Sequence, residues 1–480
     1  MKSIPQIQVA ERLRSENIWW EEPHSIPSKL LEYKPRPYFR IFYPFIQKKG
    51  VQRAVVLMGP RRIGKTVLIH HAIKQLMEDG VNPKNICYVP VDHPLYNGLD
   101  LENFIKALSE ATEIDYKKEE CYIFFDEIQY LKGWEIHLKL LVDKYENIRC
   151  IVSGSAAAAL RLKSLESGAG RFSEFLLPPL TFYEYMYLLD KTKIVTEDKT
   201  ERGYISQVTT SDLQGLNKCF IDYLNFGGYP EVALSKEIQK DPGQFVKSDI
   251  IDKVLLRDLP SLYGVQDIQE LNYLFTTLAF NTADEVSLEG LSQGSGVAKN
   301  TIKKYIEYLE AAFLIKTVHR VDRSAKRFKR ANYFKVYLTN PSMWSALFDV
   351  IGESDDAIGN LVETAVFAQW FHSKVPLHYA RWPKGEVDIV SLNPEKQKAD
   401  WVIEVKWSDR YITHPEELKS LVEFCHVHNL GEAMITSITT DKKISYKNVN
   451  FGFRPASLYC YILGYNVING RFLFEGLSGT

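Results

Sequence analysis

Residues 59 to 66 read Gly-Pro-Arg-Arg-Ile-Gly-Lys-Thr, between the apolar run Ala54 to Met58 and a helix-like stretch, Val67 to Met77. Few eight-residue stretches constrain a fold more. A G-x4-G-K-[ST] loop cradles phosphate only if a strand runs into it and a helix leaves it, so that successive backbone N–H groups and the helix N-terminus face one anion. Glycine supplies the dihedral freedom. Lys65 is expected to reach the β/γ-phosphates and Thr66 to ligate Mg²⁺. The expected cradle is Gly59, Pro60, Arg61, Arg62, Ile63, Gly64, Lys65, Thr66 and Val67, and the expected ligands are ATP and Mg²⁺. A chance glycine-rich turn is the alternative, and a second motif weighs against it.

Cys121 to Phe125 form a short unbroken apolar run, as expected of a parallel strand buried on both faces, and Asp126-Glu127 follow at its end. Asp126 is placed to hold Mg²⁺ or its waters, and Glu127 to polarise the water that attacks the γ-phosphate. Another β-like run, Ile148 to Val152, ends in Ser153-Gly154-Ser155. Parallel strands point their C-terminal ends at the ligand crevice, so Ser153 is a candidate sensor of the γ-phosphate or lytic water; the alternative is a residue that only turns the chain. Arg171, in Gly-Ala-Gly-Arg-Phe, is a candidate arginine finger in cis or from a neighbour, or else a salt-bridged surface residue.

At 480 residues the chain exceeds one ordinary core, and about two to four domains are expected. Hydrophobic content of 45% and aromatic content of 12% belong to a folded globular protein. A net charge of −1 leaves any nucleic-acid binding to local basic patches. Cys87, Cys121, Cys150, Cys219, Cys425 and Cys460 are scattered without a C-x-x-C pair, which supports neither a disulfide framework nor zinc. With no signal-like apolar core after Met1 and no run of membrane-spanning length, a cytoplasmic protein without membrane contact is expected.

The expected class is α/β: a doubly wound P-loop NTPase sheet with a helical lid, a winged helix, and a C-terminal α/β restriction-endonuclease-like domain. Residues 1–50 carry Pro23, Pro27, Pro35, Pro37 and Pro44 and read as an extended or short-helical arm packed on the core. The P-loop ATPase core takes 51–211, with strands Ala54 to Met58, Ile86 to Val91, Cys121 to Phe125, Arg149 to Ser153 and Glu174 to Leu177. Within it, polar Lys191 to Ser211 reads as an exposed insertion. Residues 212–283, around Gly227-Gly228-Tyr229-Pro230-Glu231, read as a helical lid and connector.

Residues 284–345 read as a winged helix: helices Ser287 to Gln293 and Ala298 to Glu310, then strands Leu314 to Val321 and Asn332 to Leu338 around a basic tip containing Arg327, Phe328, Lys329 and Arg330. A basic wing suits phosphate contacts along DNA, and a protein-docking module is the equal alternative. In 346–480, a helix containing Glu363 leads to Gly385 to Val390 and then Trp401 to Lys406. Alternation along the strand puts Glu404 and Lys406 on one face, beside Asp388. Two carboxylates can hold Mg²⁺ against a phosphodiester while lysine stabilises developing charge. His426 and His428, two apart on a helix, point to different faces and read as ordinary helix residues.

Together these motifs, with Pro-Leu-Thr-Phe-Tyr-Glu-Tyr at 179–185 and Arg257-Asp258, resemble the AAA-like prokaryotic ATPases whose C-terminal half carries the domain of unknown function 4143. The resemblance runs from about residue 40 to near the end. It implies an ATPase core, a winged helix and a PD-(D/E)XK nuclease-like domain, with Lys65, Thr66, Asp126 and Glu127 matching the ATPase motifs. Glu363, Asp388, Glu404 and Lys406 match the nuclease-like ones, three of them (Glu363, Asp388 and Glu404) as metal ligands. Asn340 departs from the pattern, standing where an acidic residue is common, and the N-terminal arm is longer than usual. Such residues can also serve in binding without cleavage, and oligomerisation is left open.

Overall fold

The computed structural model describes residues 6–22, 25–26, 30, 32–48, 52–96, 98–116, 118–154, 170–327, 332–393, 395 and 398–470. The chain divides into two compact units, Met1–Pro178 and Pro179–Thr480.

The first unit is built on β1 (Ala54–Met58), β2 (Ile86–Pro90), β3 (Cys121–Asp126), β4 (Ile148–Gly154) and β5 (Phe172–Leu176). They form one parallel sheet in the order β2-β3-β4-β1-β5. The central apolar runs are buried on both faces, which is why they lack alternation; β1 and β3 are buried at every position, while the edge strand β5 is partly exposed. β4 separates β1 from β3, so the loops after these three strands open side by side at one end of the sheet.

The N-terminal segment is helical, α1 (Gln6–Glu16), and it closes the β2 edge. Asn17 receives the Tyr88 N–H at 2.6 Å and donates to the Tyr88 carbonyl at 2.9 Å, as a neighbouring strand would. Trp19 and Trp20 both donate their indole N–H to the Ile86 carbonyl at 2.9 Å. An open edge is thereby covered. Pro23 and Pro27 lie outside the described residues.

The second unit contains β8 (Glu285–Ser287), β9 (Ile315–Val321), β10 (Tyr333–Leu338), β11 (Leu377–Trp382), β12 (Gly385–Leu392), β13 (Ala399–Glu404), β14 (Glu432–Ser437), β15 (Lys442–Tyr446) and β16 (Val449–Pro455). They form one mixed sheet, ordered β15-β16-β14-β13-β12-β11-β9-β10-β8. The helices expected before the hairpin are present at Leu288–Ser295 and Lys299–Ala311. The hairpin does not stand apart: β9 pairs in parallel with β11 through Tyr379↔Arg320 and Ala380↔Val321, so the segments read as 284–345 and 346–480 share a sheet. At its described tip, Ala325 is buried in a core with Phe424, Phe451 and Phe453, and exposed Arg323 pairs with Glu423. Phe328, Lys329 and Arg330 lie outside the described residues.

Lys191 to Ser211 forms a hairpin that is largely exposed, as the sequence suggests, but it lies in the second unit and not with the sheet of the first. Its strands, β6 (Thr196–Lys199) and β7 (Ile205–Thr209), are polar in composition, but Ile205 and Val208 are buried, the Asn466 side chain exchanges two hydrogen bonds with the Ile205 backbone, and Tyr461 donates to Glu197 at 2.6 Å. The anchoring partners lie far along the chain, where local composition carries no trace of them.

Candidate functional site

In the first unit, helix α2 (Lys65–Glu78) starts where the loop after β1 ends. The loop turns through two left-handed residues, Arg62 at φ 59° and Gly64 at φ 94°, and Ile63 pins it to the core. A Cβ on Gly59 would lie 2.3 Å from the Leu177 carbonyl oxygen, so only glycine fits there. Lys65 is buried and donates to the carbonyls of Gly59 at 3.0 Å and Pro60 at 2.7 Å, which holds its ammonium over the loop. Arg36, buried, braces the loop from behind by donating to the carbonyls of Ile63 at 3.1 Å and Pro178 at 3.0 Å.

Thr66 Oγ1 donates to Asp126 Oδ2 at 2.7 Å, and Tyr88 Oη donates to the same oxygen at 2.9 Å. Ser153 Oγ donates to Asp126 Oδ1 and accepts the Glu127 N–H at 3.2 Å. Glu127 sits at φ 55°, an uncommon conformation for a residue with a side chain, and Gln129 donates to its carboxylate. Burial, with Asp126 beside it, pushes the Tyr88 phenol far above its ordinary range, so it remains a donor. Burial holds His70 below its ordinary value; its Nδ1 faces the Thr66 carbonyl at 2.8 Å, and since a carbonyl only accepts, the proton is on Nδ1. Thr66 and Asp126 offer hard oxygen donors at one point beside the loop, a set that fits Mg²⁺.

Ser153 is fully buried, and its hydroxyl is committed to the acidic pair. It bonds the Asp126 carboxylate and the Glu127 backbone. Arg171 precedes β5 and its carbonyl bonds the N–H of Ala54, at the opposite end of the sheet from the phosphate loop. Five residues at about 3.3 Å each leave roughly 16 Å between it and that loop. Its guanidinium pairs with exposed Asp143 at 3.0 Å, so the in-cis finger is corrected to a surface ion pair. Sequence reasoning missed Arg36 and Tyr88, whose partners are distant in the chain.

In the second unit, Glu363, on the helix Ile358–Trp370, is linked to Asp388 through Lys335, and Asp388 and Glu404 both lie against Lys406. Lys406 Nζ lies 2.8 Å from Glu404 Oε1 and 3.4 Å from Asp388 Oδ2, and the Val405 N–H donates to Asp388 Oδ2 at 2.9 Å. The unexpected member is Lys335 of β10. Only 3% exposed, its Nζ lies 2.9 Å from Glu363 Oε1, 2.8 Å from Glu386 Oε1 and 3.7 Å from Asp388 Oδ1. Tyr337 Oη also donates to Glu363 Oε1, at 2.7 Å.

Burial pushes the Glu363 and Glu404 carboxyls up to about 7 despite the lysines. Burial acts the same way on Asp388, but Lys406 and Lys335 outweigh it and hold that carboxyl below its ordinary value. For Lys335, burial disfavours the charge and the carboxylates, led by Glu363, overcome it, so the ammonium stays charged. Divalent metal does not fit this arrangement: the Lys335 and Lys406 ammonium groups lie against Glu363 Oε1, both Asp388 oxygens and Glu404 Oε1, where a metal would meet a cation, whereas Asp126 faces only neutral hydroxyl donors. Glu404 Oε2 alone among these named oxygens is buried without a hydrogen-bond partner. Among the described residues no group of three or more His, Cys, Asp or Glu is gathered for a metal. The signal for Lys335 in the sequence was a lysine within an apolar strand, Tyr-Phe-Lys-Val-Tyr-Leu.

His426 and His428 face apart, as expected: His426 Nε2 meets the Lys447 carbonyl, while His428 receives the Ala399 N–H and meets the Arg323 carbonyl. All six cysteines are buried free thiols. No helix among the described residues is long and apolar enough to cross a membrane.

Residues 51–186 match the family described as "AAA domain", and residues 217–354 match "Domain of unknown function (DUF8612)". Glu363, Asp388, Glu404 and Lys406 lie beyond both ranges. A protein of Haemophilus influenzae, described as uncharacterized, is 24% identical over 367 residues, covering 75% of this chain and 84% of its own. One from Methanocaldococcus jannaschii is 25% identical over 374 residues, covering 73% and 75%. Similar solved structures include AMPPCP-bound DnaA from Aquifex aeolicus, 14% identical over 58% of this chain and 90% of that one, TM-score 0.28. The Saccharomyces cerevisiae Hsp104:casein complex is 15% identical over 64% and 54%, TM-score 0.30.

Proposed function

We propose that this chain is a Mg²⁺-dependent ATPase. The observation that carries the reading is the convergence of Lys65, Thr66 and the Asp126-Glu127 pair at one end of a parallel sheet, in a region matching the AAA domain. Lys65 and the loop N–H groups bind the β/γ-phosphates; Thr66 and Asp126 hold Mg²⁺, which when bound neutralises charge on the phosphate oxygens. Glu127 accepts a proton from the attacking water, and Ser153 fixes its backbone. A finger role for Arg171 is restricted to a neighbouring copy in an oligomer. The test is phosphate release by wild type, Lys65→Ala and Glu127→Gln: the first substitution should abolish ATP binding, the second should keep it and slow turnover by about 10²-fold or more. Wild-type turnover in Glu127→Gln would remove the general-base assignment.

For the second unit we infer a winged-helix and nuclease-like module, related to the domain of unknown function 4143, that docks nucleic acid or protein under ATP control without metal-dependent cutting. The lysine ammonium groups that lie against the Asp388, Glu363 and Glu404 oxygens favour docking over cleavage. Incubation with linear DNA, supercoiled DNA and single-stranded RNA, with Mg²⁺ or Mn²⁺, should give no cleavage beyond that of Asp388→Ala. Metal-dependent cleavage lost in Asp388→Ala would make the nuclease reading the better one. Salt-sensitive DNA binding, weakened by neutralising Arg327, would identify nucleic acid as the partner.

A further inference from the structure

We propose that Lys335 is a built-in cation of the C-terminal carboxylate cluster: its ammonium occupies the place a divalent ion would need, and the cluster becomes a metal site only when that ammonium is removed.

The argument begins with position. Lys335 lies on β10, whereas Glu386 and Asp388 lie on β12, with β9 and β11 between them in the sheet order. Its side chain nevertheless comes within 2.8 Å of Glu386 Oε1 and 3.7 Å of Asp388 Oδ1, so this lysine reaches carboxylates of a strand that is not its neighbour. Glu363 approaches from the helix at 2.9 Å. An ammonium has three N–H donors. Glu363 and Glu386 are within hydrogen-bond distance, and Asp388 is close enough to feel the charge. A lysine this deeply buried is stable as a cation only when so surrounded.

A hard divalent ion needs about six oxygens in a tight shell. Here Asp388 is flanked by two lysines, Lys335 on Oδ1 and Lys406 on Oδ2, and Glu404 gives one oxygen to Lys406. Tyr337 takes further acceptor capacity from Glu363. A metal at this point would have to displace an ammonium and repel it at close range. The surrounding charges are already near balance. Among the described residues, Glu285, Glu363, Glu386, Asp388 and Glu404 are met by Lys335, Lys406, Arg320 and Arg381. One lysine thus joins strand β10 to β12 and to a helix, and supplies the positive charge that a metal-dependent relative of this arrangement would import.

Manganese binding by the full chain without nucleotide, followed through the electron paramagnetic resonance of free Mn²⁺, tests this without reference to either catalytic activity. Wild type and Asp388→Asn should bind equal numbers of ions, since Asp388 holds none while Lys335 is present. Lys335→Met should gain one Mn²⁺ per chain, and Asp388→Asn added to it should remove that ion. Lys335→Arg, which keeps the charge, should gain none. Loss of one ion when Asp388→Asn is made in wild type would overturn the proposal, as would a folded Lys335→Met that gains none. If Lys335→Met does not fold, the comparison of wild type with Asp388→Asn decides alone: equal binding supports the built-in cation, and a lost ion refutes it.

Discussion

Thr66 Oγ1 donates to Asp126 Oδ2 at 2.7 Å, which bonds the first turn of α2 to the end of β3 across sixty positions of sequence. Neither residue is unusual by itself. Their meeting turns two motifs into one site, because β1 and β3 run parallel with a single strand between them and so release their loops at the same edge.

Tyr88→Phe removes one donor from that carboxylate and keeps the ring packed on His70, 4.7 Å away between centroids. The expected result is a stability loss of about 1 kcal/mol and a several-fold lower kcat with ATP affinity little changed. Phosphate release and thermal unfolding measured together check it; an unaltered kcat would show that the Tyr88 bond does not position Asp126.

Gly59→Ala places a methyl group 2.3 Å from the Leu177 carbonyl oxygen, a backbone atom that is itself held by the bond from Leu177 N to the Met58 carbonyl at 2.7 Å. Backbone cannot rotate aside as a side chain can. Loss of nucleotide binding and a destabilisation of about 1–3 kcal/mol are expected, read by nucleotide titration and by the unfolding midpoint. Wild-type affinity would mean that the loop tolerates displacement.

Asn340→Asp tests the departure from the family pattern. Asn340 is fully buried; its Nδ2 donates to Tyr223 Oη at 3.2 Å and its Oδ1 accepts from Ser342 N at 2.9 Å. Tyr223 already donates its proton to the Leu180 carbonyl and accepts from Gln369. Aspartate loses the donor and sets a charge against a hydroxyl oxygen with no proton to give, a cost of about 3 kcal/mol. Denaturant midpoints above and below the carboxyl's titration should show the loss shrinking in acid; a loss independent of pH would sink this account.

His378 gives a pH dependence with a defined sign. Burial, followed by Arg327 and His319, lowers its pKa from 6.5 to about 4, and its Nδ1 has no hydrogen-bond partner. Between these values the unfolded chain binds the proton more readily than the folded one. Stability is therefore full above 6.5 and falls as pH drops towards 4, by up to about 3 kcal/mol. His378→Gln should flatten the pH dependence of the unfolding midpoint across that window; identical slopes in variant and wild type would contradict it.

The parallel sheet and the phosphate loop were legible because their causes are local. Unbroken apolar runs ending in Gly59 and Asp126, and the β-like run ending in Ser153, specify buried strands and where they stop, and Gly64 at φ 94° needs only its own missing side chain. That Asp388, Glu404 and Lys406 lie together follows in part from strand alternation, which puts Glu404 and Lys406 on one face.

The tertiary structure decided everything that depends on which distant chains touch. Arg36 and Tyr88 are ordinary residues until folding lays them behind the loop and against Asp126. Arg171 stands in Gly-Ala-Gly-Arg-Phe as a finger might, yet the parallel run of β5 beside β1 puts it at the end of the sheet opposite the phosphate loop. Lys335 reads as a lysine in a strand, and only the approach of Glu363, twenty-eight positions on, and of Glu386 and Asp388 surrounds it with carboxylates. Backbone preference acts over a few residues and is written where it acts; the pairing of buried charges is set by distances in space, which no stretch of sequence contains.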